Sequence, residues 1–86
     1  MTRRKAGRMT PRLDKLARFL SIIGREGPVS LYRVAKLGGF IYQTAQRYLR
    51  YCVEKGLVQD LGRGERGAMR LVLTEKGRQF LEALRG

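Results

Sequence analysis

The glycine pair Gly38–Gly39 constrains this chain more than any other feature, because it cuts a helical hydrophobic pattern into two short segments. Upstream, Ser30 is placed to cap the segment SLYRVAKL, with Leu31, Val34, Ala35 and Leu37 as its inward positions. Downstream, Phe40 and Ile41 lead into a helix that extends to about Lys55. Its apolar positions Ile41, Ala45, Tyr48, Leu49, Cys52 and Val53 step by three or four residues along one face. Helices this short are marginal alone in water, so each needs a packing partner.

The preceding residues supply that partner. Thr10 followed by Pro11 is a helix start, with Thr as N-cap and Pro at the first helical position. The helix is expected to run to about Arg25, with Leu13, Leu16, Ala17, Leu20 and Ile23 as a stripe that Phe19 and Ile22 widen. A helix apolar on more than one side is either wedged between two others or also part of a dimer contact. Gly24 and Gly27–Pro28 read as its end and the turn after it, and Val29 as a short extended link.

After the third helix, Gly56 is a stop signal, and Lys55 sits favourably at the negative end of the helix dipole. Leu57 to Leu61 is a predicted strand, the run from Gly62 to Gly67 a turn of Gly and Arg, and Met69 to Leu73 the returning strand. On that strand Met69, Leu71 and Leu73 share one face, Arg70 and Val72 the other. Thr74 caps a final helix, with Glu75 near its positive end and Phe80, Leu81 and Leu84 turned inward. The order helix, helix, helix, hairpin, helix predicts an α+β fold: a winged helix-turn-helix with a three-helix core, a two-stranded β-hairpin wing and a C-terminal helix. Residues 1–9 form a basic arm ahead of one domain over 10–86.

Charge narrows the partner. The 86 residues hold 19 Lys and Arg against 7 Asp and Glu, a net charge of +12. Solubility does not require so lopsided a surface, whereas a polyanion does favour it, through release of condensed counterions. Fourteen of the cations are Arg, whose planar fork suits phosphates and base edges better than the Lys ammonium. With one cysteine, Cys52, and no histidine, a Cys/His metal site and a His-based triad are excluded, and no cofactor is expected. The few acids are scattered, so an enzyme is not expected. No apolar run approaches the roughly 20 residues of a membrane span, and the basic N-terminus lacks the apolar segment of a secretion signal. The expected location is the cytoplasm, at the nucleoid.

Within that frame the polar face of the third helix carries the chemistry. Tyr42, Gln43, Gln46 and Arg47 lie in the half of the helix that reaches base edges when such a helix docks. Arg pairs with guanine and Gln with adenine. Thr44, near the helix start, and Arg50 suit phosphates. No acid interrupts this face between Tyr42 and Tyr51, whereas an ordinary solvated helix mixes signs. Arg63 and Arg66 on the hairpin tip, with Arg70 on the returning strand, suit contacts to a DNA backbone or minor groove. Arg3 and Arg4 on the basic arm suit the same kind of contact, though a solvated tail is equally consistent with them.

The run GPVSLYRVAKLGGFIYQTAQRYLRYCVEKGLV resembles the core of archaeal and bacterial winged helix-turn-helix regulators. TAQRYLRYCVEKGLV is similar to their recognition helix and the start of their wing. LTEKGRQFLEAL is similar to the segment after the wing in PadR-like, MarR-like and archaeal chromatin-associated Sso10a-like proteins. The resemblance spans roughly residues 10 to 85 in pattern. It implies double-stranded DNA as partner, commonly for a homodimer, with Tyr42, Gln43, Gln46, Arg47 and Arg50 on the recognition helix and Arg63 and Arg66 on the wing tip. Such families often extend the last helix into a dimerisation arm. This sequence stops at Gly86, so a dimer would use the first helix or the short last one. No ligand-sensing domain fits its length, and no small-molecule effector is expected. The leading expectation is a transcription regulator. A nucleoid protein of low sequence specificity and a ribosome-associated RNA-binding winged helix are the alternatives.

Overall fold

Six elements are present in a computed structural model that describes residues 12–64 and 67–85: α1 (Leu13–Glu26), α2 (Leu31–Gly38), α3 (Tyr42–Glu54), β1 (Val58–Arg63), β2 (Met69–Leu73) and α4 (Glu75–Arg85). Element order and type are those predicted, and the architecture is a winged helix-turn-helix.

The first helix is the centre of the core. Leu16, Phe19, Leu20, Ile22 and Ile23 are all buried, because α1 packs against α2, α3, β2 and α4 at once. Its broad apolar surface is therefore consumed within the chain, as expected for a wedged helix. Phe19 lies 5.8 Å from both Phe40 and Tyr48, ring centre to ring centre, and Phe40 lies 5.6 Å from Tyr48. These are favourable aromatic spacings. Both ends of this helix differ from expectation. The helix begins at Leu13, with Arg12 extended as its N-cap; the expected cap Thr10 and first residue Pro11 lie outside the described residues. It runs through Gly24 to Glu26, and Gly27 closes it by donating its N–H to the Ile23 carbonyl. Leu13 is 63% exposed, because the first turn of α1 projects past the elements that cover Leu16.

The turn after α2 follows the glycine signal. Ser30 Oγ accepts the Arg33 N–H at 3.2 Å, and Gly39 is left-handed with φ 71°. Phe40 N–H then returns to the Ala35 carbonyl at 2.9 Å, a helix closure that needs such a residue. Arg18 of α1 donates to the Gly38 carbonyl at 3.1 Å and ties this corner to the core. In α3, Ala45, Tyr48 and Cys52 are buried. Leu37, Ile41 and Val53 were expected inward but are exposed. Ile41 is the N-cap, outside the helical period that aligns the others, while Leu37 and Val53 flank their stripes rather than lie on them.

The hairpin pairs Val58 with Leu73, Gln59 with Val72 and Asp60 with Leu71. Its first strand starts one residue later and ends two residues later than the predicted Leu57–Leu61. Val29 is more than a link: it exchanges both backbone hydrogen bonds with Leu71, at 2.8 and 3.1 Å, and so adds a third extended segment. Behind the sheet, Thr74 Oγ1 accepts the Gly77 N–H at 2.9 Å as the expected cap and donates to the Gly56 carbonyl at 2.7 Å. Leu81 is the buried anchor of α4, and Phe80 packs against the core beside it.

Candidate nucleic-acid interface

The position of α3 follows from its buried stripe. Ala45, Tyr48 and Cys52 are drawn onto α1 and β1, so the residues half a turn away face outward. Gln43, Gln46, Arg47 and Arg50 are exposed together on that side, Tyr42 is 44% exposed at its N-terminal edge, and Thr44 is half-buried. Among the described residues Arg47 and Arg50 take part in no ion pair; the pairs formed are Arg12–Asp14, Arg25–Glu26, Arg33–Glu26 and Arg78–Glu75. Their guanidinium groups keep their donors for another partner.

The acid-free stretch extends well beyond α3. No Asp or Glu occurs between Glu26 and Glu54, while Arg33, Lys36, Arg47 and Arg50 all do. Glu54 follows Arg50 by one turn, on the same side. It bounds the cationic face at its C-terminal end and leaves the N-terminal turns unopposed. Arg33 and Lys36, exposed on α2, were not among the sequence candidates, although this same charge asymmetry could have singled them out. Lys36 Nζ sits 5.7 Å from the Tyr32 ring centre and Lys55 Nζ 5.7 Å from that of Tyr51, a cation–π distance. Lys36 in α2 and Lys55 at the C-cap of α3 add positive charge on the chain just before and just after this face.

The hairpin brings a second set of cations, differently employed. Arg63 is exposed and donates from Nη1 to the Gly67 carbonyl at 3.0 Å. Arg70 is exposed too, and its guanidinium donates to the carbonyls of Leu61 and Gly62 at 2.9 and 3.3 Å. Arg66, Arg3 and Arg4 lie outside the described residues. Cys52 is fully buried and its thiol is pushed up to about 12 by that burial, which keeps it protonated and unreactive. No group of His, Cys, Asp and Glu among the described residues could hold a metal ion, and none of their helices is long and apolar enough to cross a membrane.

No family model matches the sequence, and no curated protein matches it. Solved structures do. FabT of Streptococcus pneumoniae, in complex with DNA, is similar at 25% identity with a TM-score of 0.72, covering 83% of this chain and 50% of that one. A MarR-family transcriptional regulator from Silicibacter pomeroyi is similar at 21% identity and a TM-score of 0.75, covering 83% and 48%. The transcriptional regulator BldR from Sulfolobus solfataricus is similar at 20% identity and a TM-score of 0.74, covering 84% and 52%. The chain spans about half the length of each of these proteins.

Proposed function

Because the chain has the winged helix-turn-helix fold of MarR-family transcriptional regulators, we propose that it is a transcription regulator that binds double-stranded DNA, not an enzyme, and acts at the nucleoid in the cytoplasm. The observation that carries this reading is the exposed face of α3, where Gln43, Gln46, Arg47 and Arg50 stand opposite the buried stripe, with no acid between Tyr42 and Tyr51 and no ion pair to Arg47 or Arg50 among the described residues. FabT, a protein of similar structure seen in complex with DNA, supports DNA as the partner. On this reading Tyr42, Gln43, Gln46 and Arg47 meet base edges in the major groove, and Arg50 and Thr44 meet phosphates. Arg33 and Lys36 add backbone attraction from α2, the helix that crosses the phosphates in such docking. The wing, through Arg63 and Arg66, and the arm, through Arg3 and Arg4, reach the backbone or a minor groove.

Selection of bound fragments from random duplex DNA, with structured RNA as competitor at fixed salt, tests the proposal. An enriched motif is expected, and a palindromic one would mean two copies act together. Arg47→Ala should lose roughly 1–3 kcal/mol of discrimination at one base pair of that motif. Preferential binding of the RNA would overturn the assignment, and enrichment of no motif would reduce it to a nucleoid protein of low specificity.

A further inference from the structure

The hairpin contains a built device at the root of its tip. The ladder is regular from Val58–Leu73 to Asp60–Leu71 and resumes at Arg63–Met69, so Leu61 and Gly62 together oppose the single residue Arg70. This two-against-one bulge is held from both strands. The Asp60 carboxylate accepts the Gly62 N–H at 2.9 Å. From across the ladder, Arg70 Nη2 donates to the Leu61 carbonyl at 2.9 Å and Arg70 Nε to the Gly62 carbonyl at 3.3 Å. Gly62 has φ 99°, a backbone that only glycine adopts readily. Beyond the bulge, Gly64 N–H bonds to the Ala68 carbonyl at 2.8 Å and Arg63 closes on Gly67 at 3.0 Å.

We propose that Asp60 and Arg70 form a clasp that fixes the direction in which the wing projects, which makes Arg70 a positioning residue and not a phosphate ligand. The proposal deepens the reading of the wing as a DNA contact and rests on it. A bulge bends and twists its strand, so whatever holds the bulge sets the aim of the residues beyond it, Arg63 and the tip. A glycine-rich tip with no such restraint would have to be ordered on binding, at a cost in affinity. The fork of Arg70 reaches two successive carbonyls at once, which the point charge of a lysine cannot reproduce.

Asp60 gives the proposal its sharpest test. Removing an acid beside a polyanion ordinarily tightens binding, whereas removing half of a clasp weakens it. The measurement uses the full chain with Arg70→Lys, Asp60→Ala and, as a contact control, Arg50→Ala. Thermal melts confirm that each is folded. Backbone ¹⁵N relaxation is recorded for residues 60–64 and 67–70 in the free protein, and affinity is measured on the selected duplex. Arg70→Lys, which keeps its charge, and Asp60→Ala are each expected to weaken binding roughly threefold to tenfold and to loosen the hairpin outside β2's inner half. Arg50→Ala should weaken binding with the hairpin unchanged. If hairpin order is untouched in both clasp variants, or if Asp60→Ala binds more tightly than wild type, the clasp is overturned. Loosened hairpins in a protein whose wild type binds no duplex would support the clasp and sink the DNA reading alone.

Discussion

Cys52 shows how much a single residue's surroundings decide. Its position on the apolar stripe of α3 is legible from the spacing with Ala45 and Leu49, and the thiol is indeed fully buried. Burial raises its pKa from 9.0 to about 12. The folded chain therefore keeps a proton that the unfolded chain releases, and the stability tied to this group is intact below pH 9 and lost as pH rises towards 12. Urea titrations at pH 8.5 and at about 10.5 should show a fall in stability that is smaller in Cys52→Ala. Labelling of the native protein by a thiol reagent at pH 8 should be limited by the rate of unfolding. Other residues were less legible. Leu13 and Ile41 recur at apolar spacing, yet periodicity cannot say where the covering element stops, and both lie past that edge. Strand alternation puts Arg70 on the outer face but is silent about a side chain that folds back onto carbonyls of its own hairpin.

Among the elements, α4 depends on a glycine that sequence reasoning passed over. A glycine inside a helix costs about 1 kcal/mol relative to alanine, so Gly77 looks like a weakness. It is buried, and a methyl group there would collide with the Leu57 carbonyl oxygen and crowd the Leu73 side chain. Gly77→Ala should therefore destabilise the fold by roughly 1–3 kcal/mol despite its helix propensity, seen as a lowered melting temperature. An unchanged or raised melting temperature would show that α4 is not so closely seated. The helices themselves were readable because their caps are local: Ser30, Gly39 and Thr74 act within a few residues of their own positions. The pairing of Val29 with Leu71 was not, since nothing in a lone valine after Gly27–Pro28 announces a partner far along the chain. The bulge at Leu61–Gly62 escaped for the same reason, because register is a property of two strands together.

At the scale of the whole molecule the charge asymmetry is the most legible feature, and it predicts behaviour in salt. Logarithmic affinity for duplex should fall linearly with logarithmic salt concentration, with a slope of about −0.9 for each phosphate neutralised. Arg50→Ala should make that slope shallower by about one, whereas Arg47→Ala should change sequence preference more than slope. Equal slopes for Arg50→Ala and wild type would remove Arg50 from the phosphate contacts. The bridge between Val29 and Leu71 has a further consequence. It joins Val29, next to the α2 cap Ser30, to the strand that closes the hairpin after α3, so the chain segment bearing both helices is fastened at its two ends to one sheet. Such a segment cannot swing as an arm. Its rotational freedom is already spent in folding, so the encounter with a groove is the meeting of two rigid surfaces. Association should therefore proceed in a single kinetic phase, with a rate set by diffusion and electrostatic steering.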